Sequence, residues 1–228
     1  MKFSKVTADM RMIAMAAGML VASISAADAA SITTLFNTGV DASHNVLANG
    51  AVDPHYTVSG GGVGPATYLE NPPHPSYFPN SAVGGLGSAW IWHSASGNEI
   101  SNPETYNFST TFNLTGFNPA TAAISGLWGT DNQGIDILLN GHSLGISLLG
   151  VIVENFNTLH TFNIGSGFFQ AGLNTLTFVV QNNGGPGAFR AELSGTVSAV
   201  PIPAALPLFA SGLAAFGVFA RRRRKAAA

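Results

Sequence analysis

An antiparallel β-sandwich is the fold class predicted for residues 30–198, and three observations predict it. Short segments repeat an alternation of apolar and polar residues, the period of a strand with one dry and one wet face. Gly, Asn, Pro and Ser interrupt those segments at short intervals, and no amphipathic helical period appears between residues 30 and 200. The chain also has no cysteine, so about 170 residues are held by a core alone, which a domain of that size can build without staples.

The elements follow in chain order. Ile32 to Phe36 and Tyr56 to Val58 are the first strand candidates. From Val58 to Gly87 the texture changes to Gly60-Gly61-Gly62, Asn71-Pro72-Pro73-His74-Pro75 and Gly84-Gly85. That is a long loop-rich insertion, ordered in part by Tyr68, Tyr77 and Phe78, and loops of this length are often functional. In Ala89 to His93, Trp90 and Trp92 share one face and Ile91 takes the other. Tyr106 to Leu114 sets Tyr106, Phe108, Phe112 and Leu114 against Asn107, Ser109, Thr111 and Asn113. Ala122 to Trp128 and Ile135 to Leu139 come next, and Asn140-Gly141 is the pair that tolerates positive φ at both centres of a type I′ hairpin turn. Leu159 to Ile164 precedes Thr175 to Gln181, which aligns Leu176, Phe178 and Val180. In Phe189 to Val197 the residues Phe189, Ala191, Leu193 and Val197 face inward, and Arg190, Glu192, Ser194 and Thr196 face outward.

The two ends read as addresses. Lys2, Lys5 and Arg11 precede an uncharged run from Met12 to Ala27, the layout of a signal peptide occupying residues 1–29. Ala27-Asp28-Ala29 offers an A-x-A site with cleavage before Ala30, and Ser25-Ala26-Ala27 is an alternative. Residues 199–228 form the other address: Ile202 to Ala220 is nineteen residues without a charge, followed at once by the basic run Arg221 to Lys225. As a helix the apolar part spans about 28 Å, enough to cross a hydrocarbon core of about 30 Å. Pro203 and Pro207 sit in its first turns, where a missing N–H is tolerated. Arginines hold their side of a span in the cytoplasm, which places the sandwich outside.

Val200-Pro201-Ile202-Pro203, the apolar helix with Ser211-Gly212, and Arg221, Arg222, Arg223 and Arg224 together resemble the PEP-CTERM sorting signal of Gram-negative bacteria. The resemblance implies recognition by an exosortase, a membrane transpeptidase-like sorting enzyme, and an association with extracellular polysaccharide. Ile202 departs from it, since the commonest form of the motif has Glu there. A second resemblance covers about residues 100–197. Trp128-Gly-Thr-Asp131-Asn132, the segment from Ile135 through Asn140-Gly141 to Gly145, Phe162, and Gly172-Leu-Asn174-Thr-Leu176 running on to Asn182 are similar to the galactose-binding-like jelly roll. Asp53-Pro54-His55-Tyr56-Thr57 and Trp90-Ile91-Trp92 resemble segments of exported PEP-CTERM proteins of this architecture, which extends the expected domain back to about residue 31. These are mostly turn and core residues, so the likeness implies a jelly-roll fold more than an activity.

Charge narrows the partners. Residues 30–200 carry nine acids and one base, Arg190, a balance near −8 with neutral histidines, and the other eight bases lie in the two addresses. Nucleic acid, which needs clustered Lys and Arg, is excluded. Sugar binding needs an aromatic face and groups that pair with hydroxyls, and the candidates are Tyr56, Trp92, Trp128, Asp131, Asn132, Asn182 and Arg190, with Trp90 beside them. Each Trp can equally be core, and Arg190 with Glu192 can be a surface ion pair. Asp131, Asn132 and Asp136 do not fit an EF-hand loop and the six histidines show no zinc spacing, so no metal and no cofactor is expected. No G-x-S-x-G elbow is present, and a hydrolase would have to gather scattered carboxylates such as Asp53, Glu99 and Asp131. The expectation is a non-enzymatic, exported surface or matrix protein that binds carbohydrate in an exopolysaccharide layer. The alternatives are a structural matrix protein without a defined ligand, or a polysaccharide hydrolase.

Overall fold

The computed structural model describes residues 28–71, 73–80, 87–99 and 103–200, together with Phe209, Gly212, Leu213 and Gly217. The folded unit is Ala27–Val200. Of the C-terminal segment, the four described residues are helical, with Phe209 and Leu213 exposed. Among the described residues no helix is long and apolar enough to cross a membrane. The export run to Ala27, the motif from Pro201 to Pro203, most of the 202–220 span and the tail from Arg221 to Lys225 lie outside the described residues.

Alternation of side chains produces thirteen strands in the folded unit's described residues, paired antiparallel throughout. They are β1 (Ala29–Ser31), β2 (Val52–Gly60), β3 (Ala66–Leu69), β4 (Ile91–Trp92), β5 (Asn98–Glu99), β6 (Glu104–Asn113), β7 (Ala123–Asp131), β8 (Gln133–Leu139), β9 (His142–Ser143), β10 (His160–Ile164), β11 (Leu173–Asn182), β12 (Gly185–Pro186) and β13 (Ala188–Ser198). One hydrogen-bonded path runs β10-β7-β13-β4-β3-β2-β6-β11-β8-β9, with β1 on β13 and a separate β12-β5 pair. The path folds over at β3, which pairs with β4 on one side and β2 on the other. This stacks β10-β7-β13-β4 on β2-β6-β11-β8 as a jelly-roll type sandwich, the fold class expected.

Ring contacts across the interior fasten the layers. Phe189 of β13 lies 4.8 Å from Phe178 of β11 and 5.0 Å from Phe108 of β6, and Trp128 of β7 lies 5.7 Å from Phe178. All four side chains are fully buried, and each is worth about 1.5–3 kcal/mol or more in apolar area removed from water.

The turn at Asn140-Gly141 has φ of 52° and 81°, as a type I′ turn requires. Its two residues join Leu139 to His142 directly. Asn140 then reaches the start of β11: its Nδ2 donates to Asn174 Oδ1 at 2.9 Å and its Oδ1 accepts from the Thr175 N–H at 2.8 Å. The Asn-Gly and Gly-x-Asn-x-Leu motifs thus interlock as structure.

Two expectations change. Ile32 to Phe36 is not a strand: Leu35 N–H turns back to the Ile32 carbonyl at 3.2 Å, and Ile32 and Leu35 are anchored in the core from a loop. The segment that showed no helical period contains, among its described residues, a 3-10 turn at Pro119–Thr121 and a short α-helix, α1 (Ile152–Asn157), whose six residues are too few to display a period.

Candidate functional site

The aromatic side chains expected to stack on sugar are inside the protein. Trp128 and Trp92 have no exposed surface and Tyr56 is 2% exposed. Trp92 packs on Tyr106 and Phe108, and the Tyr56 hydroxyl donates to the Phe36 carbonyl at 3.0 Å. Trp90 is buried as well, its Nε1 donating to the Phe78 carbonyl at 2.7 Å. A sandwich interior absorbs its largest side chains, and none of these rings is left for a ligand.

The polar candidates build one corner. Asn182 Oδ1 accepts from the Gly184 N–H at 2.9 Å, and Asn132 Oδ1 accepts from the Asn183 N–H at 2.6 Å. Asn132 Nδ2 donates to Asp131 Oδ1 at 2.7 Å, while Asp131 Oδ2 accepts from the Tyr77 hydroxyl at 2.9 Å. Asp131 and Asn182 are buried, so this network shapes the ends of β7 and β11 rather than meeting a solute. Asp53, another carboxylate considered for hydrolysis, is likewise engaged by the Gly39 and His55 N–H groups at 2.7 and 2.8 Å.

Arg190 corrects its expected setting. It pairs with Glu192 at 2.9 Å, but its own side chain is fully buried. Phe78, Pro79 and Ser88 cover it: the Phe78 and Pro79 carbonyls accept from Nη1 at 3.2 and 2.6 Å, and Ser88 Oγ accepts from Nε at 2.7 Å. Burial lowers the guanidinium pKa while Glu192 opposes the shift. Beside it, Tyr77, Trp90 and Ala188 form a small second core with Phe156 and Leu159. That core closes the half of the outer β7-β13 face nearest Asp131.

The other half stays open. Across β10, β7 and β13 the register aligns Thr161, Leu127 and Glu192 in one row and Asn163, Ser125 and Ser194 in the next. With strands about 4.8 Å apart, each row spans about 10 Å. A hollow of ≈ 340 Å³ lies over both rows, with Asn37 at its rim, and a second of ≈ 310 Å³ continues along the same strands past Ser125, Asn163 and Ser194 to Thr196. Asn37 is fixed by the Leu193 N–H, which donates to its Oδ1 at 2.6 Å, and by its own donation to the Gly87 carbonyl. Glu192 Oε1 is held by Arg190 Nη2 and by Ser88 Oγ at 2.7 Å. The polar ends of Ser125, Thr161, Asn163 and Ser194 are exposed and engaged by no other described residue. The groove is therefore a strand-borne floor on which the exposed hydroxyl and amide groups of Ser125, Thr161, Asn163 and Ser194 stand beside apolar lining from Leu127, Phe162 and Leu193, with an oriented carboxylate at one edge.

Sequence reasoning placed Glu192 and Ser194 on a wet face but missed the groove, because β10, β7 and β13 are neighbours in space and not in the chain. It also missed Glu70. This side chain is 2% exposed, and burial, with the Asp131 charge adding to it, pushes its carboxyl up to about 8. Burial likewise raises Asp131, against the donors Tyr77 and Asn132.

No family model and no curated protein matches this sequence. Among solved structures, the chain is similar to TmCBM61 in complex with beta-1,4-galactotriose, at 20% identity over 66% of this chain and 97% of that one, with a TM-score of 0.37. It is also similar to a family 35 carbohydrate binding module from Clostridium thermocellum, at 14% identity over 63% and 92% with a TM-score of 0.35. A third is the CBM36-1 domain of a multidomain xylanase from the hindgut metagenome of Trinervitermes trinervoides, at 10% identity over 76% and 98% with a TM-score of 0.29.

Proposed function

We propose that this chain is an exported bacterial surface or matrix protein whose sandwich binds carbohydrate of the exopolysaccharide layer in the β10-β7-β13 groove. The observation that carries the reading is the aligned set Thr161, Asn163, Ser125 and Ser194, engaged by no described residue and seated on strands. Sugar hydroxyls both donate and accept, and a floor of hydroxyls, amides and one carboxylate complements them. Strand-borne groups lose little freedom on binding, which favours recognition by many weak contacts.

Binding is favoured over hydrolysis at this groove. Glycoside hydrolysis uses two carboxyl groups flanking the bond, and Glu192 is the groove's one carboxylate among the described lining residues. That carboxylate is occupied by Arg190 and Ser88.

The sorting part of the proposal rests on the tail. The Pro motif follows Val200, whose N–H donates to the Gly116 carbonyl at 3.2 Å as the last described contact of the folded unit. An exosortase-type enzyme acting there would release the whole sandwich, first held at the inner membrane, to the cell surface or matrix.

Titration of the protein with soluble exopolysaccharide fragments tests the groove. Asn163→Ala and Thr161→Ala are each expected to weaken binding by about 5- to 10-fold, the loss of roughly one hydrogen bond of about 1 kcal/mol. Unchanged affinity in both variants would remove the groove from the account.

A further inference from the structure

Another hollow, of ≈ 310 Å³, opens on the sandwich where Asn71, His74, Ser96 and Gly97 surround Glu70. Glu70 is 2% exposed, and among the described residues nothing donates to its Oε1. A Cβ on Gly97 would stand 3.0 Å from that oxygen, and Gly97 has a φ of +64°, so a glycine keeps the space beside the carboxyl clear. The neighbouring Tyr77 hydroxyl directs its hydrogen to Asp131 at 2.9 Å and is not available to Glu70.

The His74 backbone N–H serves the carboxyl's other oxygen, and the unpartnered Oε1 is completed by a proton, a hydroxyl or a cation. Within residues 30–200 no second Lys or Arg exists to serve it, and the His74 ring that lines the hollow accepts from the Ser76 N–H at Nδ1. Arg190 is the one Lys or Arg in residues 30–200, and it is fully buried on Glu192. A bare metal ion is a poor fit, since among the described residues no three His, Asp or Glu side chains are grouped to hold one. The hollow is also far roomier than an ion, and it presents the Asn71 amide and Ser96 hydroxyl against the Pro186 ring. An organic ammonium carrying hydroxyls and a partly apolar body suits that wall. The excess of acids over bases in residues 30–200 draws such a ligand in and repels polyanions.

We propose that this hollow binds the ammonium group of a free-amino hexosamine, as in a partly deacetylated polysaccharide, with Glu70 accepting from the nitrogen and Asn71 and Ser96 meeting adjacent hydroxyls. The inference rests on the carbohydrate reading above and names a sugar class for it.

The full chain in detergent is titrated with glucosamine, N-acetylglucosamine and glucose at low ionic strength. Glucosamine is expected to bind at least 10-fold more tightly than the other two. Glu70→Gln, which keeps size and polarity, is expected to abolish that preference. The exposed Asn71→Ala, which leaves the buried carboxyl and its packing in place, is expected to reduce it several-fold and guards against a folding defect. Equal binding of glucosamine and N-acetylglucosamine by the native chain, or a preference that survives both variants, overturns the proposal. In that event neutral sugars that still bind and still respond to Asn163→Ala leave the groove reading intact, whereas failure of every sugar to bind removes both.

Discussion

Arg190 shows how one residue ties the site together. Its guanidinium holds the Phe78 and Pro79 carbonyls, Ser88 and Glu192 simultaneously. Arg190→Ala removes the cation beside Glu192 and the Pro79 carbonyl's side-chain donor, while Trp90 Nε1 stays on Phe78 and Ser88 Oγ on Glu192, so a loss of about 3 kcal/mol is expected in denaturant unfolding. Glu70 makes the second residue-scale prediction, in pH dependence. Its carboxyl rises from an ordinary value of 4.5 to about 8 in the folded protein. Both states are protonated below pH 4.5. Between 4.5 and 8 the unfolded state ionises first, so stability falls as pH rises, by up to about 1.4 kcal/mol per pH unit for this one proton. Unfolding of Glu70→Gln across that range is expected to show a shallower slope than the native chain; equal slopes would mean that Glu70 ionises normally. Neither residue's setting was legible in the sequence. Alternation in β13 pointed Arg190 outward correctly, but the residues that cover it come from more than a hundred positions earlier and carry no periodic signal.

At the scale of elements much more was legible, because strand alternation and turn chemistry are local. The inward rows of β6, β11 and β13 and the Asn140-Gly141 turn stand where the pattern put them. The Trp residues were ambiguous only in function, and the core claimed all three. The failures have local causes too: apolar anchors at Ile32 and Leu35 imitate a strand although a turn separates them. The close fit of elements also makes a prediction at β8. A Cβ at Gly134 would lie 2.4 Å from the Trp128 ring, which is fully buried and has no room to retreat. Gly134→Ala is expected to destabilise the protein by about 1–3 kcal/mol, read from the denaturant midpoint. The groove belongs to this scale as well. Its members are ordinary wet-face residues in three separate segments, and only the strand order β10-β7-β13 assembles them.

For the whole molecule, charge is distributed unevenly between the two ends and the folded unit. Eight of nine basic residues fall in the terminal segments, and the sandwich is left strongly acidic. On this account, mass spectrometry of the protein from cell envelope and medium finds a released form ending near Val200 only in cells that have the sorting enzyme. An intact C-terminus confined to the inner membrane would reduce the tail to an anchor. Whether the open outer face is a glycan groove is decided by mapping backbone amide chemical shifts while exopolysaccharide fragments are titrated in. Saturable shifts concentrated at Ser125, Leu127, Thr161, Asn163 and Ser194 are expected. Shifts confined to the β6-β11-β8 layer, or no shifts at saturating fragment, would contradict the groove reading.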